Sequence, residues 1–148
     1  MRRHAAAGAL LLAMLWAGIV IGVSFIATIA KFDAPSLTLP VALDVGRHTF
    51  APLARIEWGL WLALLLTCLA ARSHARMAAV AGLGAILAVQ ALWLLPVLDA
   101  RVELVLAGVT PPSSPLHLLF VGCEMVKIAI LGGLALKELS GLSTPAAA

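Results

Sequence analysis

Charge is the scarcest ingredient of this chain. Asp, Glu, Lys and Arg make up 11% of its 148 residues and hydrophobic residues 63%, whereas soluble globular chains carry about 25% charged residues. That shortage excludes an ordinary soluble domain, and the mean hydropathy of +1.09 agrees. A basic strip with interleaved aromatics is missing as well. The formal charge of +3 comes from dispersed residues, so nucleic acid is excluded as a partner and membrane flanks account for the cations. Cysteine is nearly absent. Cys68 and Cys123 form no CxxC pair and have no histidine at metal-ligand spacing. Both lie in apolar runs and read as small packing residues, with no disulfide expected. A cleavable secretory leader is excluded too, because the first apolar run outlasts a 7–15-residue signal core and no A-x-A site closes it.

What the chain does have is four long apolar runs, over 7–30, 51–71, 77–98 and 116–136. Each matches the ~20 residues that a helix needs to cross a bilayer. The expected fold is all-α, a four-helix transmembrane bundle forming a single domain over 1–148, with the lipid bilayer as its constant partner. The third helix can extend to 107, and 140–148 reads as a loose tail.

Glycine and proline punctuate these runs. Gly18 and Gly22 form a GxxxG pair, continued by Ser24 and Thr28 at the same interval. Small residues at that spacing let helix backbones approach in lipid, which predicts tight packing inside the bundle or against another copy or a membrane partner. Pro35 and Pro40 are expected to break the chain into an apolar surface loop from Phe32 to Thr49, with Gly46 ending a short turn and Thr49 capping the second helix. Pro96 should bend the third helix, and Gly108 should stop it. Ser114 followed by Pro115 is a start signal for the fourth.

Six of the seven acidic residues, Asp33, Asp44, Glu57, Asp99, Glu103 and Glu124, fall towards one end of the bundle, and Glu138 towards the other. Ionisable groups inside a bilayer are costly and usually face the protein interior. Glu124 and Lys127 stand three apart, on one helix face where they can pair. His117 lies seven before Glu124 on the same stripe. Gln90, Leu94, Val97 and Arg101 share a stripe on the third helix, and Arg47, His48 and Arg55 lie close to the same end. The expected site is a polar pocket lined by Arg47, Glu57, Arg101, His117, Glu124 and Lys127, the arginines meeting an anionic group. Structural ion pairing, such as Arg101 with Glu57 or Lys127 with Glu124, accounts for the same residues without a ligand.

Two sharper chemistries fit the residue types. His48, Glu57, His117 and Glu124 are carboxylates and imidazoles of the kind that hold zinc, iron or manganese, which would make a small membrane enzyme or metal site. Glu124 in an apolar wall beside Lys127 is instead suited to a proton-coupled carrier. The small multidrug-resistance exporters are also four-helix proteins, but their essential Glu lies in the first helix, which here has no acid. The vitamin K epoxide reductase and disulfide-oxidase bundles need the absent CxxC pair. No Ser, His and Asp arrangement supports nucleophilic hydrolysis.

Ser24-Phe25, Lys31-Phe32-Asp33-Ala34-Pro35, Gly46-Arg47, Glu57, Leu98-Asp99-Ala100-Arg101, His117, Glu124 and Lys127 are spread over nearly the whole bundle. In these short motifs the chain resembles a group of small bacterial four-helix integral membrane proteins of unknown function. The resemblance implies the fold and a bacterial inner membrane, and no activity. Arg2, Arg3, Arg72, Arg76 and Lys137 flank one side and Lys31, Arg47, Arg55 and Arg101 the other. The first helix and the Arg72–Arg76 turn favour cytoplasmic termini, and the pocket then opens to the extracytoplasmic side.

Overall fold

The computed structural model describes residues 2–71 and 73–143. Met1, Arg72 of the expected basic turn, and the 144–148 part of the expected tail lie outside the described residues. Among the described residues every regular element is a helix. α1 runs as Arg2–Val20, widens into a π-helical stretch over Ile21–Ala27, and resumes as Thr28–Asp33. α2 is Leu39–Ala71. α3 is His74–Val89, a π-helical stretch over Gln90–Leu94, then Leu95–Leu106. α4 is Leu116–Ser143. All four are long and apolar enough to cross a membrane. Each packs on its neighbours in sequence, and α4 closes the ring against α1.

The helix ends follow local chemistry. Gly108, at φ 78°, terminates α3. Its N–H bonds the Val105 carbonyl at 3.0 Å, and the Val109 N–H bonds that of Leu104 at 2.9 Å. That pair of bonds is a Schellman motif, which favours glycine at the left-handed position. Ser114 accepts a bond from the Leu116 N–H at 3.3 Å, starting α4 where the Ser-Pro signal placed it. Ser73 opens α3 by accepting from the Arg76 N–H at 3.5 Å.

Four expectations need correction. The stretch from Phe32 to Thr49 is mostly helix, since α2 starts at Leu39 and carries Pro40 in its first turn. A first-turn proline gives up no intrahelical hydrogen bond, because N–H groups there have no partner in any case. Thr49 therefore caps nothing, and its hydroxyl instead bonds the Val45 carbonyl. Gly46 ends no turn either. It lies buried inside α2, and a Cβ there would stand 2.8 Å from the Lys31 ammonium, so the missing side chain is a notch that Lys31 crosses. Residues 140–143 of the expected tail continue α4.

The GxxxG pair does not pack inside the bundle. A Cβ on Gly18 or Gly22 would meet nothing within 4 Å, because α1 turns Ala9, Ala13, Trp16 and Val20 inward instead. Besides Gly46, the glycine with a tightly seated neighbour is Gly84 of α3. The Trp61 indole lies so close that a Cβ would stand 2.8 Å from its Nε1, and that N–H donates to the Val80 carbonyl at 2.8 Å. Gly84→Ala is expected to break this seat. Overpacking costs about 1–3 kcal/mol, which outweighs the ~1 kcal/mol that alanine adds to a helix. Thermal unfolding in detergent, read by tryptophan fluorescence, measures the net loss.

The dry core fills the half of the bundle nearer the termini, around Ala13, Trp16, Leu64, Leu83, Leu87 and Leu131. The helices are longer than a membrane crossing requires. At 1.5 Å per residue α2 is about 50 Å long against a hydrocarbon thickness of about 30 Å. The surplus turns carry the polar residues of the other end, called the mouth below.

Candidate functional site

The expected single pocket separates into two places. The deeper one is a closed charged cluster. Lys127, with 0% exposure, lies between two carboxylates, 2.5 Å from Glu57 Oε1 and 2.9 Å from Glu124 Oε1. It stands about 17 Å along α4, within a helix long and apolar enough to cross a membrane. The i, i+3 pairing of Glu124 with Lys127 was legible from spacing. Glu57 as the second partner was not, and it replaces the pairing of Glu57 with Arg101.

Neutral donors complete the cluster. The Trp16 indole N–H donates to Glu57 Oε1 at 2.9 Å. Ser24 donates to Glu124 Oε2 at 3.0 Å, and Gln90 Nε2 to Glu124 Oε1 at 2.6 Å. All four helices thus contribute to one network. Such satisfaction is what permits buried charge, since an unpaired ion in oil is far costlier than a paired one. Ser24 and Gln90 each lie within a π-helical stretch. Widened turns of this kind re-aim side chains and occur often at functional sites. In α3 the Leu95 N–H reaches back five residues to the Gln90 carbonyl, directly ahead of Pro96, whose ring cannot donate.

The second place is a cavity of about 270 Å³ at the mouth. Its wall is largely apolar, with Phe32, Leu43, Phe50, Leu98 and Phe120, and it bears Lys31, Arg47, Arg101 and His117 against the single carboxylate of Asp99. Arg47 is held by Asp44 at 2.7 Å and more loosely by exposed Glu103 at 3.6 Å. Arg101 donates to the Pro112 carbonyl, and the Lys31 ammonium lies 4.7 Å from the Phe32 ring centroid. Among the described residues no carboxylate pairs with Lys31 or Arg101. Lys31 is the cavity residue that sequence reasoning missed. Its sequence position marks it only as one of the flanking cations, and the notch at Gly46 brings it onto α2.

Arg47, Arg101 and His117 therefore gather at the mouth, and Glu57, Glu124 and Lys127 in the interior. The metal candidates do not assemble. His48 is exposed and bonded to the Asp44 carbonyl, His117 faces the mouth cavity, and the two glutamates hold Lys127. Among the described residues no group of three or more His, Cys, Asp and Glu is placed to hold a metal ion. At the far end, Arg76 of α3 makes a two-pronged bond to Glu138 of α4, at 2.6 and 2.5 Å.

Comparison with family models, with curated proteins and with solved structures finds no match to this chain.

Proposed function

We propose that this protein is a multi-pass membrane binding protein whose mouth cavity takes a small amphipathic anion, a carboxylate or phosphate head on an apolar body. The observation that carries this reading is the pair Lys31 and Arg101, lining an apolar-walled cavity without a carboxylate partner. Planar guanidinium groups favour carboxylate and phosphate oxygens. The apolar wall suits a chain or ring, and the volume suits a small ligand. On the flanking-charge argument the cavity faces away from the cytoplasm in an inner membrane, with both termini inside.

The test is binding of decanoate, decanol and decyltrimethylammonium to the full chain in nanodiscs of zwitterionic lipid. Decanoate is expected to bind saturably and the other two not. Arg101→Ala is expected to weaken it about tenfold or more, the worth of one lost charged hydrogen bond. Equal affinity for decanol would show that the cations play no part and end the proposal. A parallel titration with phosphatidylglycerol in the nanodisc separates a lipid head from a free anion. Competition by that lipid identifies the lipid as occupant, and unaffected decanoate binding identifies the free anion.

A further inference from the structure

Two carboxylates and one ammonium leave the buried cluster a formal charge of −1 when all three are ionised. No other cation pairs with it among the described residues. Two further observations bear on that imbalance. Gln90 is 3% exposed, and its Oε1 has no hydrogen-bond donor. A buried acceptor without a donor is rare and calls for a proton donor or a water beside it. Beside it lies a void of about 10 Å³, lined by both Glu57 and Gln90, close to the volume one water molecule needs.

The remaining observation is where that void ends. Phe50 of α2 and Phe120 of α4 line it, and the same two residues line the mouth cavity. Their rings meet edge to face, 5.3 Å between centroids. This aromatic pair, with Leu95, which also lines both spaces, stands between the mouth and the charged cluster. On the opposite side the cluster abuts the dry core around Trp16, Leu87 and Leu131.

We propose that Glu57, Lys127 and Glu124 form a proton-binding site, with a water in the adjoining void, that exchanges its proton with the mouth cavity across the Phe50–Phe120 contact. A hydronium ion in the cavity gives up one proton. One O–H bond breaks and another forms on a carboxylate oxygen, water remains, and the cluster goes from −1 to neutral. The new O–H, or the water beside it, supplies the donor that Gln90 Oε1 lacks. The groups facing the site from α1 and α3 are Trp16, Ser24 and Gln90, none of which titrates in this range. From α2 comes Glu57, and from α4 come Glu124 and Lys127, with Cys123 next in sequence. The site does not depend on what occupies the mouth cavity, and its test uses no anion.

The experiment is infrared difference spectroscopy of the full chain in nanodiscs, titrated between neutral and acidic buffer. A protonated-carboxyl stretch at the high frequency of a buried carboxyl, above the band of exposed groups such as Glu103, is expected to appear on acidification and to shift in heavy water. Either Glu57→Gln or Glu124→Gln should abolish it, because each leaves one carboxylate to one ammonium and no need for the proton. Isotope-labelled glutamate in the unsubstituted chain reads the same band, so a variant that fails to fold does not remove the test. Absence of a labelled band, or its survival at full strength in both variants, overturns the site. Phe50→Ala or Phe120→Ala is expected to speed hydrogen–deuterium exchange of that band about tenfold. Unchanged exchange in both overturns the route through the aromatic pair.

Discussion

Lys127→Met is expected to cost about 3–5 kcal/mol of stability, the range for removing one partner from a buried ion pair. The substitution keeps the length of the side chain and removes its charge. Glu57 and Glu124 would then face each other across the bundle with only Trp16, Ser24 and Gln90 as donors. Two like charges at such separation in a low dielectric repel strongly, so the chain must take up protons or open. The check is thermal unfolding in detergent at neutral and acidic pH. Acidic buffer should restore part of the loss, since neutral carboxyl groups no longer need the ammonium. Adding Glu57→Gln and Glu124→Gln to Lys127→Met should restore more, because all three charges then disappear together. An Lys127→Met protein as stable as the parent would mean that the ammonium holds neither carboxylate.

The second large effect lies at the other end. Arg76 and Glu138 join α3 to α4 through two short bonds, with side-chain exposure of 11% and 5%. Glu138→Ala leaves the guanidinium largely buried without an anion, in a place where its Nη1 already lacks a partner. The expected loss is about 2–3 kcal/mol, below that for Lys127 because this end borders water and lets the arginine recover some hydration. Exchanging the two residues, as Arg76→Glu with Glu138→Arg, should recover part of it. Unfolding temperature of the three proteins is the measurement. A parent-like Glu138→Ala would show that the junction at this end rests on apolar packing alone.

What sequence could and could not disclose follows the range of each interaction. Glu124 with Lys127 is a same-helix pair, and fixed helical geometry brings them together without reference to the rest of the fold. Gly108 and Ser114-Pro115 are equally local, and the backbone obeys them. Glu57 meets Lys127 across 70 residues of chain, and Trp16 meets Glu57 across 41. No spacing rule encodes such contacts. The region from Leu39 to Thr49 departs from expectation for a different reason. Proline marks a break without saying on which side the helix resumes, and Pro40 fits the first turn of α2, where it forfeits no intrahelical hydrogen bond. Gly18 and Gly22 show the limit of small-residue spacing: it permits close approach, and the neighbouring Trp16 and Val20 decide which face is used.

The widened turn at Gln90–Leu94 sits where α3 changes surroundings. Ahead of it Val80, Leu83 and Leu87 face the oily barrel, and its own ends, Gln90 and Leu94, are the last buried positions of the helix. Beyond it Leu95, Leu98, Val102 and Val105 share the cavity wall with Asp99 and Arg101. Inward positions recur about every 3.6 residues on both sides of the turn, so one continuous rod keeps a single inner edge while it passes from a greasy hold below to a charged basin above.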